Sequence, residues 1–125
     1  MKTLFGIMLM TLIAAGSPRQ VLLFYTDNGL EKQKAQSQIL NAHQKDIDER
    51  DIKVQCFSYS ESSIPEWKKW NIDTASPFTF ILVGRDGGEK LRSSDVVSAE
   101  KLFGLIDAMP MRKNEVERNR SKKPE

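Results

Sequence analysis

Phe78-Thr79-Phe80-Ile81-Leu82-Val83-Gly84-Arg85-Asp86-Gly87-Gly88-Glu89-Lys90-Leu91-Arg92 is the stretch whose reading decides the fold. Its apolar run, bounded by Pro77 and Gly84, predicts a strand buried on both faces. Asp86-Gly87-Gly88 supplies residues that tolerate positive φ, as a tight hairpin requires. Glu89 to Arg92 returns as a shorter, more polar strand, where Lys90 and Arg92 discourage pairing at a sheet edge. By period-2 geometry those two cations share one strand face.

Working outward, Gln20 to Thr26 (QVLLFYT) is a second apolar run of strand formers. Thr26-Asp27-Asn28-Gly29 follows as a loop, with Asp27 or Asn28 as helix cap. Leu30 to Asp48 holds no Pro or Gly, and Ala35, Ile39, Ala42 and Ile47 predict the buried face of one long helix. Ile52 to Tyr59 alternates, which predicts a third strand with Ile52, Val54 and Cys56 turned inward. Pro65 opens a short helix carrying Trp67 and Trp70 three residues apart, read as core-edge packing or as a ligand-stacking platform. Leu102, Leu105, Ile106 and Met109 mark a last helix that Pro110 ends or kinks, and a charged tail runs from Arg112 to Glu125.

The N-terminus reads as an address. Lys2 precedes an apolar run from Leu4 to Ala15, within the usual signal-peptide range of about 7–15 residues. Small residues at Ala14 and Gly16 place cleavage after Gly16, giving a signal peptide over 1–16, a domain over 17–111 and a tail over 112–125. The run is shorter than the roughly 20 residues a spanning helix needs. The expectation is export, to a periplasm or outside the cell, with no stable membrane anchor after cleavage. Without Lys2 the chain has 18 basic and 17 acidic residues, a balance that makes no electrostatic case for nucleic acid. One cysteine cannot close an internal disulfide, and it excludes thiolate zinc sites.

The resulting order, β-α-β-α-β-β-α with a mixed four-stranded sheet, is an α/β, three-layer arrangement that resembles thioredoxin. The passage from Asn71 through Ser76-Pro77-Phe78 resembles the helix, loop, cis-proline and strand of that family, which implies a cis Ser76–Pro77 bond. More closely, the chain resembles a family of exported bacterial proteins of unknown function. That family is related to thioredoxin-like domains of sushi-repeat and equarin-type extracellular proteins. The residues carrying this resemblance are Glu49-Arg50-Asp51-Ile52, Val83 to Gly88, Lys90-Leu91-Arg92 and Leu105 to Arg112. It implies secretion and a thioredoxin-like fold, with an oxidoreductase role by analogy alone.

Thioredoxin chemistry needs Cys-x-x-Cys where the first helix opens. Asp27-Asn28-Gly29-Leu30-Glu31-Lys32 occupies that place, so dithiol exchange by a single chain is excluded. Cys56 reads as a small buried hydrophobe, with a one-thiol redox role as the alternative. His43 stands alone without metal-ligand spacing, and Asp46, Asp48, Glu49 and Asp51 read as a solvated helix end rather than a cation site. The expectation is no metal and no cofactor. Lys90, Arg92 and Arg112 are the candidate binding residues, for a protein partner in the envelope or outside the cell. The reading is a monomeric, non-catalytic binding module, with a single-cysteine oxidoreductase or peroxidase using Cys56 as the alternative.

Overall fold

The structure is a computed structural model that describes residues 17–110 and 112–116. The expected signal peptide lies outside them. Strands β1 (Arg19–Tyr25), β2 (Ile52–Ser58), β3 (Phe78–Val83) and β4 (Glu89–Ser93) form one sheet in the order β2-β1-β3-β4. β1 pairs parallel with β2 and antiparallel with β3, and β3 pairs antiparallel with β4. The central pair explains the two apolar runs. All six residues of β3 are buried, because strands flanked on both sides and covered on both faces have no solvated face.

Helices α1 (Leu30–Ala42), α2 (Gln44–Glu49), α3 (Ile64–Lys69) and α4 (Ala99–Asp107) complete three layers. On one face of the sheet Leu40, Ile47, Leu102 and Ile106 pack on Val21, Leu23, Phe80 and Leu82. On the other, Trp67 and Ile72 cover Leu22, Phe24, Ile81 and Val83. Trp67 lies edge-on to Phe24 at 5.5 Å, and Trp70 only borders that core. The tryptophan pair is thus split between core and margin.

The expected long helix is two helices. His43 leaves helical geometry at φ −119° and ψ 35°, and its Nδ1 donates to the Ile39 carbonyl at 2.9 Å. The buried face of α1 also sits one position from the expected one. Ala35 and Ala42 are exposed, while Gln36 and Leu40 point into the core. Gln36 is 0% exposed, and its amide closes two bonds with the backbone of Val97: Nε2 donates to the carbonyl (2.9 Å) and Oε1 accepts from the N–H (2.7 Å). This side chain does for Val97 what a neighbouring strand would do, satisfying both of its backbone groups in the loop between β4 and α4. Gln36→Ala should strand both groups and cost about 2–4 kcal/mol. In the wild type the Val97 amide should exchange with deuterium as slowly as strand amides, and fast exchange there would refute the clamp.

Two further expectations fail. No cis peptide bond occurs among the described residues, so Ser76–Pro77 is trans. In this ordinary form the Pro77 carbonyl accepts the Thr26 N–H at 2.9 Å, joining the β3 entry to the end of β1. Cys56, expected inside, is exposed, and Val54 is 37% exposed. β2 is an edge strand, and α1 and α2 leave an open groove of about 390 Å³ over Ile52, Val54 and Cys56. Alternation named the right face of β2, but the helices cover only its Ile52 end.

Candidate functional site

Two ends of the sheet carry polar side chains. At the C-terminal end of β1, Asp27–Gly29 form a single 3-10 turn that leads into α1 without any side-chain cap. Asp27 and Asn28 are exposed, and neither makes the capping bond expected of it. Gly29 is buried against the Pro77 loop. A Cβ there would stand 1.9 Å from the Pro77 carbonyl oxygen and 2.6 Å from its carbon. The mouth of the helix is closed by backbone packed on backbone, and it holds no thiol.

The opposite end gathers four arginines. Arg19 opens β1 with its side chain only 1% exposed; Nη1 donates to the Arg50 carbonyl (2.8 Å) and Nη2 pairs with Glu115 (3.1 Å). Arg85, in the β3–β4 hairpin, pairs with Glu115 (2.8 Å) and Asp51 (2.9 Å). Asp51 adopts φ 54°, a left-handed turn that also turns its carbonyl onto the Arg19 N–H at 3.0 Å. Arg50 forks onto Asp107 (3.0 and 2.9 Å) and lies 4.6 Å from the centre of the Phe103 ring. Arg112 reaches Asp107 and Glu115, both at 3.4 Å.

Glu115 is therefore a carboxylate among three guanidinium groups. Burial pushes its pKa up, but hydrogen bonds and charge from Arg19 and Arg85 outweigh this and hold it below the usual glutamate range. Asp107 is held low chiefly by its hydrogen bonds from Arg50, against burial. The same pairing holds Arg50 more firmly protonated than a free guanidinium. Asp46 and Glu49 also turn to Arg50 as counter-charges, and Asp48 accepts from the neutral Gln44 amide. Among the described residues no three His, Cys, Asp or Glu side chains converge as metal ligands would.

Beside this cluster lies a cavity of about 310 Å³, lined by Arg19, Gly84, Arg85, Asp86, Lys90, Met109 and Pro110. The hairpin shapes one wall. Gly87 takes the positive φ that the sequence promised for this turn, 83°, and Asp86 Oδ1 accepts the Gly88 N–H at 2.9 Å. That hydrogen bond, with the pairing to Lys90, lowers the Asp86 pKa. A bulge follows: Leu82 faces Leu91, but Val83 faces Glu89, leaving Lys90 as the extra residue.

The bulge separates the two cations expected to share a face. Lys90 turns towards Met109 and the cavity, where Asp86 holds its ammonium at 3.0 Å. Arg92 turns to the opposite face, donating to the Trp70 carbonyl (2.7 Å) and pairing with Glu89 (2.8 Å). Arg112, read as the start of a charged tail, is 5% exposed and belongs to a helical turn over residues 112–116. Pro110 is itself helical, at a position that needs no N–H donor. The three named residues thus stand in three settings. Sequence reasoning missed Arg19, Arg85 and Glu115. Arg19 had a legible signal, since alternation from Val21 and Leu23 places it on the same inward face.

A family described as a domain of unknown function, DUF4174, matches residues 14–115. The chain belongs to the DUF4174 family. The matched residues include both the closed helix mouth and the arginine cluster with its Glu115 partner. No curated protein matches this DUF4174 chain. Among solved structures, one described as a malarial protein is 22% identical, with a TM-score of 0.56 over 73% of this chain and 96% of its own. Thioredoxin-2 of the malaria parasite, described as a component of its protein secretion machinery, is 22% identical. Its TM-score is 0.55, over 74% of this chain and 84% of its own. These likenesses establish the thioredoxin-like fold of the DUF4174 domain. No helix among the described residues is long and apolar enough to cross a membrane.

Proposed function

We propose that this DUF4174 domain is an exported, non-catalytic binding module, and that the cavity beside Arg19, Arg85 and Lys90 holds an anionic group of its partner. The observation that carries the reading is the gathering of these three cations, from β1, the hairpin and β4, around one cavity. The helix mouth, by contrast, has neither a thiol nor room for a side chain at Gly29. The N-terminal run over 1–16 and the resemblance to exported bacterial proteins support a periplasmic or extracellular site of action. Arg112 supports the cavity from behind through Glu115, and Arg92 lies on the other face. The test is capture from envelope extract: Lys90→Glu should weaken it at least tenfold and Arg92→Glu should not. Equal capture by both variants would refute the assignment.

The exposure of Cys56 favours a second reading, a one-thiol peroxidase in which the thiolate attacks hydrogen peroxide, breaking the O–O bond to form a sulfenic acid and hydroxide, which takes a proton from solvent. Its recorded polar contact is the neutral Gln33 amide, whose Nε2 lies 3.6 Å from the sulfur. Among the described residues no cation contacts the sulfur, which favours the first reading. In folded protein Cys56 should alkylate without denaturant, because its sulfur is exposed. A rate about a hundredfold above that of a small free thiol, blocked by peroxide, would install the redox reading instead.

A further inference from the structure

We propose that the cavity between the β3–β4 hairpin and the end of α4 is a receptor for a carboxylate attached to a short apolar group. The inference rests on the binding-module reading and names the chemistry of its ligand.

The head-group site is built around Arg19. It is 1% exposed and lines the cavity, and its Nη atoms are engaged by Glu115 and the Arg50 carbonyl. Its buried Nε–H has no acceptor among the described residues. A buried donor left open is costly unless something fills it, and a guanidinium edge favours a planar carboxylate. Arg85 and Lys90 stand on the same cavity wall.

Charge then limits the ligand. Three cations, Arg19, Arg85 and Lys90, are met by three carboxylates, Glu115 on both arginines, Asp51 on Arg85 and Asp86 on the lysine. No charge remains over, so the ligand is selected by the open Arg19 Nε–H and carries at most one negative charge, whereas a phosphate dianion would meet Asp51, Asp86 and Glu115 as like charges. The rest of the wall is apolar: the Met109 thioether, the Pro110 ring, Gly84 and the Lys90 stem, which runs so close that a Cβ on Gly84 would meet its Cε at 2.6 Å. The volume of about 310 Å³ lies at the small end of ligand pockets, so the apolar part is a few carbons.

Such a group has two sources, a free short-chain carboxylic acid or the C-terminal carboxylate of a peptide ending in an apolar residue. Titration of the full-length, isotope-labelled chain with hexanoate, N-acetylleucine, hexanamide and inorganic phosphate, followed by amide and arginine Nε–H resonances, distinguishes them. Hexanoate, N-acetylleucine or both should shift Gly84, Met109 and the Arg19 Nε–H saturably, and the tighter of the two identifies the source. Hexanamide and phosphate should bind at least about tenfold more weakly. Lys90→Gln, at a partly exposed position that leaves the core intact, should weaken carboxylate binding about fivefold, and Arg19→Lys, which keeps the charge but removes the guanidinium Nε–H, should weaken it as well. Carboxylates that bind no better than hexanamide, or equally well to Lys90→Gln, overturn the proposal. If phosphate alone binds, sensitive to Lys90→Gln, the carboxylate class falls and the anion pocket stands; if no anion binds there, both fall.

Discussion

Replacing Gly29 with alanine should destabilise the domain by about 3 kcal/mol, at the upper end of what overpacking usually costs. The new methyl would meet the Pro77 carbonyl oxygen at 1.9 Å and its carbon at 2.6 Å, and neither is the movable end of a side chain. Gly29 itself has φ −101° and ψ 9°, so the penalty comes from contact and not from dihedral strain. Relief requires the Pro77 loop to withdraw, and that breaks the 2.9 Å bond from Thr26 N–H to Pro77 O. For a domain of about 100 residues the loss corresponds to a melting temperature lower by roughly 12–20 °C. A fall of less than about 4 °C would mean that this junction yields more easily than its geometry implies.

Glu115→Gln should cost a similar amount, about 2–3 kcal/mol near neutral pH. Removing one member of a buried charge set strands its partners, and here Arg19 is 1% exposed and Glu115 16% exposed. The amide can still accept from one arginine but supplies no charge to three. The pH dependence follows from the direction of the shifts. Glu115 and Asp107 both have folded-state pKa values below their ordinary ones, so their contribution is complete above the unfolded-state values and is lost as pH falls through the folded ones. The wild type should therefore lose stability steadily below about pH 4.5, starting at the ordinary glutamate value. In Glu115→Gln this acid-side decline should be shallower, because the Glu115 share is gone while those of Asp107, Asp86 and Glu89 remain. Identical acid limbs in urea melts of the two proteins would show that Glu115 is not held low.

The parts of this fold legible in the sequence were those set by local periodicity and turn chemistry. The runs at 20–26 and 78–83 became central strands because nothing but burial suits them, and Asp86-Gly87-Gly88 turned as its side chains dictate. The stripe of Leu102 and Ile106 is buried on the sheet, and Ser98 caps α4 by accepting the Lys101 N–H at 3.1 Å. Readings failed where a distant partner decided the outcome. Gln36 looks like a surface residue until Val97 is found beside it, and Cys56 looks internal until β2 proves to be an edge. Lys90 and Arg92 parted because of one bulge, which period-2 counting does not include. The candidate site was the least legible part. Arg19 and Glu115 are 96 residues apart, so no local window contains both.

That separation sets the order of events as the chain is made. Arg19 emerges in the first strand, and its carboxylate partner follows 96 residues later. Until residue 115 is free of the ribosome, the sheet end can assemble only with Arg19 lacking its counter-charge. Contacts of such long range close late in folding, after the hairpin and the helices have formed locally. The arginine cluster thus works as a clasp on a finished domain, holding it shut without helping it start. In kinetic terms Glu115→Gln should speed unfolding and leave the folding rate nearly unchanged.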